Sequence, residues 1–364
     1  MFILKKSFTV VLICVVLLLA GVLIAARVQK GRSHPIEAEA TAVPTEAPTS
    51  KPTAALAPTA TLAPTATPAP TATPEPTPTP EPTPTPAPTP FTIAWISDMQ
   101  VYSYAADRGL DKLVSYLVQE REEQNIVAVL QSGDLIENNA LESEWKRIAA
   151  SLKPLRGKIP FYCIIGNHDL GYGVSEINVS EYGLLPYFRY DLCDVRDPEQ
   201  QFKGGVCWYQ FIGDRDLLLL GIGWPRESGF GDRIEWLNDV LDRYPDVPTL
   251  ILIHNFLYND GKETEIGLKL ERELIKKHPN VRLLLCGHHR GVRRLTKSFH
   301  EGIDFTAVMY NLQEETKKAS GYCMLITFDP VTRSVSFTSY SPVYDDYNYL
   351  DDPTLETFTL ENAY

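Results

Sequence analysis

Sulfur is scarce in this chain, and what there is lies scattered. Its 364 residues hold six cysteines and four methionines, and no two cysteines stand in a C-x-x-C spacing. That excludes the common structural-zinc patterns and a disulfide-framework fold. Cys163, Cys286 and Cys323 sit inside apolar runs and read as small buried hydrophobes. Cys193 and Cys207 lie in a polar stretch, where a disulfide and two free thiols both stay open. Positive charge is also short: 34 Lys and Arg face 46 Asp and Glu, a net charge of −12. From Phe91 onward the balance is 28 against 41. Such an acidic surface argues against broad nucleic-acid binding.

Two stretches are defined by what they omit. Residues 8–26 contain no charge and no break in apolar character. At about 1.5 Å per residue the run reaches roughly 28 Å, close to a bilayer core and longer than an ordinary signal-peptide core. Lys5 and Lys6 precede it, and Arg27, Lys30 and Arg32 come after it, so basic flanks do not settle orientation. Residues 1–33 read as an uncleaved signal anchor crossing the membrane, with a cleaved signal peptide as the alternative. Cys14 lies in the middle of the run with no small-residue box before it, which speaks against lipid attachment. The second stretch omits bulk. Between Pro44 and Pro90 only Leu56 and Leu62 are aliphatic and larger than Val, among Pro, Thr and Ala repeats. No core can form there, and a polyproline II chain of that length extends on the order of 140 Å. Residues 34–90 therefore read as a disordered stalk. It would hold residues 91–364 outside the cytoplasm, at the membrane and near a cell wall.

Residues 91–364 can bury roughly three quarters of their surface on folding, enough for a large α/β domain without disulfides. F-T-I-A-W-I, I-V-A-V-L, F-Y-C-I-I, L-L-L-L-G-I, T-L-I-L-I and V-R-L-L-L-C read as buried strands. Between them, L-D-K-L-V-S-Y-L, L-E-S-E-W-K-R-I-A-A-S-L and I-E-W-L-N-D-V-L have helical spacing. Continuous apolar strands alternating with amphipathic helices indicate layered α/β architecture. F-T-A-V-M-Y, Y-C-M-L-I-T-F and S-V-S-F-T-S-Y come without long helices between them and read as antiparallel strands of a second sheet. Residues 171–203 read as an insertion near the site mouth or an ordinary surface excursion. The acidic, tyrosine-rich tail around residues 341–352 reads as a terminal segment laying its rings on a sheet.

Five short motifs each close an apolar run: S-D-M-Q ending at Gln100, G-D-L-I-E-N from Gly133, G-N-H-D from Gly166, His254 in I-H-N, and G-H-H-R from Gly287. In open α/β sheets the carboxyl ends of strands are where ligands bind. The motifs supply Asp, Asn, Gln and His but no thiolate, a donor mixture suited to divalent Mn, Fe or Zn. A pair of such cations implies in-line displacement at phosphorus. Singly the motifs are weak; as an ordered set they are specific.

The set resembles the calcineurin-like metallophosphoesterase superfamily, whose pattern is D-x-H, G-D-x-x-D/N, G-N-H-E/D, H, G-H-x-H. The resemblance implies a four-layer α/β/β/α sandwich of two mixed sheets with two divalent metal ions. In that reading Asp134 bridges both ions, Asp98 and Gln100 hold the first, and Asn167, His254 and His288 hold the second. His168 would act near the leaving group, with Asp169 orienting it. The implied reaction is hydrolysis of a phosphomonoester or phosphodiester by a metal-bound hydroxide. Two residues depart from the pattern. Gln100 replaces a histidine, although its amide oxygen can still ligate. Arg290 replaces another, and a guanidinium has donors only. His289 lies one place out of register as a stand-in ligand. Arg290 instead offers a fork for substrate phosphate, with Arg293, Arg294 and Lys297 after it in a basic loop. The expectation is an asymmetric site, stronger at the second metal. The competing expectation is a catalytically reduced metal- or phosphate-binding domain displayed at the cell surface.

Overall fold

The computed structural model describes residues 88–105, 108–170, 192–203, 205–213, 217–224, 230–313 and 321–364. The apolar run, nearly all of the Pro/Thr stretch and residues 171–191 of the expected insertion lie outside them. Among the described residues no helix is long and apolar enough to cross a membrane.

The chain builds two mixed sheets of seven strands each. In the first, β1 (Phe91–Ile96), β2 (Ile126–Gln131) and β3 (Phe161–Cys163) run parallel. β11 (Cys323–Asp329) joins antiparallel on the far side of β1, followed by β12 (Ser334–Ser341). Both β13 (Asp346–Tyr347) and β14 (Thr357–Leu360) pair with β12. In the second sheet β4 (Gln201–Phe202) and β5 (Cys207–Ile212) lead antiparallel into β6 (Leu217–Ile222). β7 (Thr249–Ile253) and β8 (Val281–Cys286) continue parallel to β6. β10 (Ile303–Asn311) is parallel to β8, and β9 (Gly291–His300) closes the edge antiparallel to β10. β1, β6 and β7 are buried along their whole length. Strands covered on both faces have no polar side to alternate with, and their sequences read as nearly continuous apolar runs for that reason.

Aromatic groups join the two sheets. The Trp95 ring lies 5.5 Å from Tyr310 and Tyr162 lies 6.0 Å from Trp208. Trp208 Nε1 donates to the Cys163 carbonyl at 3.1 Å, and Tyr310 shares a hydrogen bond with Ser339. These large rings remain buried because their polar ends find partners.

Among the described residues six helices accompany the sheets. Two of them, α1 (Val101–Tyr104) and α4 (Asn167–Leu170), are single turns at the site. α2 (Gly109–Gln119) buries Leu110, Leu113, Val114 and Leu117, the three-and-four spacing of one helical face. α3 (Glu142–Leu152) buries Trp145, Ile148 and Leu152 in the same way. α5 (Phe230–Arg243) sets Trp236 against Phe202 and Tyr209 of the second sheet. α6 (Glu265–Glu273) starts at Thr264, whose side chain accepts from Gly267 N.

Two expectations change, and one open question closes. The C-terminal strands do not form a sheet of their own: β10 joins the second sheet, while β11 and β12 return to flank β1. Local pattern shows that a segment is extended but does not choose its neighbour. The basic stretch after Gly291 is strand β9, not a loop. There Arg294 covers the Phe358 ring at 4.1 Å, and Lys297 pairs with both Glu263 and Glu271. Cys193 and Cys207 are both buried and not bonded to each other, and the Cys193 thiol donates to the Cys163 carbonyl, 3.6 Å away. The tail packs much as its tyrosines suggest. Tyr340 lies 4.7 Å from Tyr347, and the fully buried Glu356 accepts from Tyr349 N and Leu350 N.

Candidate metal centre

Every motif sits just beyond a strand. Asp98, Asp134 and Asn167 come after β1, β2 and β3 of the first sheet; His254 and His288 come after β7 and β8 of the second. Two parallel edges, not one, therefore deliver the site. His288 N ties the two edges by donating to both Asp98 oxygens at 3.1 Å, and within the second sheet Gly287 N donates to His254 O at 3.0 Å.

The turns that carry the ligands are tight. Asp98, Asp134 and His288 adopt φ values of 46°, 58° and 66°. Left-handed backbone at non-glycine residues is uncommon and collects at functional sites, where surrounding contacts hold it. The preceding glycines are needed for close approach. A Cβ on Gly166 would lie 2.2 Å from Asp134 Oδ1, and one on Gly287 would lie 2.1 Å from Asp98 Oδ2. The G-N and G-H pairs of the motifs thus record space taken by carboxylates from neighbouring strands.

One ligand set is dense. Donor atoms of Asp134, His254 and His288 all lie within 4.8 Å of one another. His254 Nε2 is 3.3 Å from Asp134 Oδ2 and 3.1 Å from Asn167 Oδ1. Its other nitrogen, Nδ1, donates to Ser132 O at 2.7 Å, which leaves Nε2 facing the cluster. Asp98 and Gln100 form the other side. Gln100 Nε2 donates to Asp134 Oδ2 at 3.3 Å and to Gln313 Oε1 at 3.1 Å. Its Oε1 is buried and has no hydrogen-bond partner among the described residues. A buried, orphaned amide oxygen is costly unless something electropositive meets it, so the position fits a cation. Asp98 is braced through a relay in which Trp95 donates to Ser132, Ser132 to Ser97 and Ser97 to Asp98.

Charge within the cluster is uneven. Burial pushes Asp98 up to about 7 in spite of the His254 imidazole, with the Asp134 charge adding to the rise. Burial works on Asp134 too, but His254 and His168 outweigh it and hold that carboxyl below its usual range. Burial would lower His254, yet Asp134 and Asp98 together raise it to about 9. His288 drops to about 3 through burial beside His254 and His289. These shifts favour a negative Asp134 beside a protonated His254, with His288 neutral and able to ligate.

His168 and Asp169 divide their work differently from the expectation. Asp169 is fully buried, and its carboxylate accepts four backbone N–H bonds. They come from Leu135 and Ile136 at 2.8 and 3.1 Å to Oδ1, and from Asp134 and Gly166 at 3.0 and 2.8 Å to Oδ2. Four bonds fill the acceptor capacity of a carboxylate. Asp169 ties the Asp134 turn to the Asn167 turn and has no lone pair left for the imidazole. Burial and the Asp134 charge push it up to about 7 against those donors. The partner of the His168 ring is Glu137: Nδ1 lies 3.2 Å from its carbonyl and 3.3 Å from its carboxylate, while Nε2 faces Asp134 at 3.8 Å.

Arg290 is exposed on the turn between β8 and β9. The three-residue cluster does not include His289, whose ring packs 5.0 Å from Tyr258. Three residues at the site escape the sequence pattern: Glu137, Gln313 and Trp224, whose ring sits 5.5 Å from His254 and 5.1 Å from His288. Glu137 lies inside a motif whose aspartate alone draws attention. Trp224 and Gln313 stand, like the ligands, just past the ends of β6 and β10, and that position is the signal that could have found them.

Known proteins resemble this chain in sequence and fold. A family model described as calcineurin-like phosphoesterase matches residues 91–289. An uncharacterized protein, YvnB, of Bacillus subtilis is 29% identical over 275 residues, covering 72% of this chain and 21% of its own length. A probable glycerophosphodiester phosphodiesterase, GpdQ, of Arcobacter nitrofigilis is 26% identical over 174 residues, covering 44% of this chain and 56% of its own. The chain therefore spans well under two thirds of either relative. Among solved structures, the purple acid phosphatase PPD1 of yellow lupin superposes with a TM-score of 0.52 at 14% identity, over 75% of this chain and 54% of that one. GAP50, the anchor in the inner membrane complex of Plasmodium, gives 0.51 at 12% identity, over 75% and 89%. At such low identity those two speak for the fold alone. With its five motifs meeting at the joined edges of two mixed sheets, the chain belongs to the calcineurin-like phosphoesterase family.

Proposed function

We propose that this protein hydrolyses a phosphomonoester or phosphodiester with two divalent cations bound in an asymmetric site on a four-layer α/β/β/α sandwich. The observation that carries the proposal is the convergence of Asp134, His254 and His288 within 4.8 Å, with Asn167 Oδ1 beside His254. Asp134, Asn167, His254 and His288 would hold one cation; Asp98, Gln100 and Asp134 the other. When bound, such cations supply Lewis acidity toward phosphoryl oxygens and lower the pKa of a coordinated water. His168 faces the cluster through Nε2 while Glu137 holds Nδ1, which suits it to give a proton to the departing oxygen. Arg290 on the neighbouring turn offers a guanidinium to the phosphate.

Metal analysis of the purified full chain, followed by turnover of 4-nitrophenyl phosphate and its bis-ester, tests this reading. Two equivalents of Mn, Fe or Zn with hydrolysis support it; no turnover with any of these metals sinks it. The second reading, a metal- or phosphate-binding domain without catalysis, rests on Arg290 standing where a ligand is expected. It predicts one cation or none, and no turnover. The uncharged run at residues 8–26 and the Pro/Thr stretch behind it support a membrane-tethered, extracytoplasmic placement. Recovery of the protein in the soluble external fraction would instead mean cleavage and secretion.

A further inference from the structure

The two sides of the centre differ in chemistry beyond the ligands. On the Asp98 side the neighbours are polar: Gln100, Gln313 and Glu137. On the His288 side they are rings. Trp224 lies 5.1 Å from His288, His288 lies 4.6 Å from His289, and His289 lies 5.0 Å from Tyr258. Four rings thus run in sequence from beside the ligand cluster outward, and the last of them, Tyr258, is 41% exposed. Their backbones are pinned. Trp224 N donates to Ile165 O at 2.8 Å and Trp224 O accepts from Arg233 at 2.9 Å. Tyr258 closes a tight turn, donating to Lys262 O at 2.7 Å and accepting from Gly261 N at 2.9 Å. Successive rings are tilted by 57°, 70° and 51°, so a flat group meets them by face and by edge, contacts that are indifferent to hydrogen-bond pattern.

The geometry points to Trp224, His289 and Tyr258 as a stacking wall that selects phosphoesters carrying a planar aromatic ring on the alcohol side. This inference rests on the hydrolytic reading of the site. A phosphoryl group at the Asp134, His254 and His288 cluster has two ways to lay its organic group. The polar side favours small hydroxylated alcohols; the ring side continues to solvent and accepts a flat, bulky group. Aryl-bearing alcohols and nucleosides share that flatness, and glycerol and choline lack it.

The test compares 2-phenylethyl phosphate with butyl phosphate, each also as its methyl diester, so that the leaving alcohols have similar basicity and differ mainly in the ring. The expected result is kcat/KM about tenfold higher for the ring-bearing ester, carried by KM, as one stacking contact provides. In Tyr258→Ala the ratio falls toward one, and Tyr258→Phe keeps it. An adenosine 5′-phosphate against ribose 5-phosphate pair extends the ratio to nucleosides. Equal kcat/KM for ring and alkyl esters in the unaltered protein, or a ratio unmoved by Tyr258→Ala, overturns the wall. Absence of turnover for all four esters and for nitrophenyl phosphate strikes the hydrolytic reading first.

Discussion

The two halves of the proposed metal centre meet at Asp134 and differ in how their donors are held. On one side Asn167, His254 and His288 face each other at contact distance, and His254 is held by Ser132 through its far nitrogen. On the other, Asp98 accepts from His288 N, Gln100 donates to Asp134 and Gln313, and an exposed arginine replaces the seventh donor of the family pattern. The donors of the first half meet one another directly, whereas the second leaves the Gln100 oxygen for a cation to satisfy. Preorganised donors bind at smaller entropic cost, so the difference predicts unequal affinities at one carboxylate bridge.

Removing the bridge should do the most. Asp134→Ala is expected to abolish binding of both cations and lower turnover by more than about 100-fold, beyond the 10–100-fold typical of losing an outer partner. Metal content and kcat/KM read it out. Retention of one tightly held metal would show that the halves are independent.

Asp169→Asn probes the tie between the turns that carry Asp134 and Asn167. An amide cannot accept all four N–H bonds, and one NH2 group must face donors. A loss of about 3 kcal/mol in unfolding free energy is expected from two disrupted charge-assisted bonds. A thermal unfolding midpoint unchanged from the unaltered protein would break the claim.

The pH response separates a site with cations from one without. His254 rises from 6.5 to about 9 in the fold. Its charge therefore contributes stability that is fully present below pH 6.5 and is lost as pH climbs through about 9. Chelated protein should become less stable across that window, by on the order of 3 kcal/mol, and His254→Asn should flatten the slope. Loaded protein should lack it, because a cation takes the place of the proton. A rising stability over the same window contradicts the assignment.

Gln100→His asks whether the weaker half can be repaired. Imidazole in place of the amide should tighten the second equivalent of Mn or Zn about tenfold, measured by competition with a chelating dye. The smallest effect belongs to Arg290→Ala. An exposed phosphate contact is worth on the order of 1 kcal/mol, so KM should rise about fivefold with kcat nearly unchanged. Full affinity in that variant removes the clamp.

The ligand positions are legible in the sequence because each is encoded locally. A buried strand, a glycine that leaves room and a chelating residue after it are all contained within a few positions. Asp134, Asn167 and His288 share that form, while Asp98 and His254 follow their strands without the glycine. Glu137 and Asp169 show where legibility stops. Both lie within the five motifs, but which one holds the His168 ring depends on how two turns from different strands meet. The basic run at Arg293, Arg294 and Lys297 resembles a loop because charge patterning does not reveal an edge strand whose cations pair with Glu263 and Glu271.

By itself the sequence determined the alternation of strands and helices, the donor types and the order in which they arrive. It also determined that the site would be lopsided, since Gln100 and Arg290 stand where the motif pattern has histidines. Tertiary structure alone decided that two sheets, not one edge, supply the ligands. The same packing returned β11 and β12 to β1 and left Cys193 beside Cys163 instead of Cys207. It also set a row of rings on one flank of the centre and amides on the other. The reason is physical: periodicity and turn chemistry act over a few residues. Strand partners and facing side chains are chosen by burial, across separations as long as the 190 residues between Asp98 and His288.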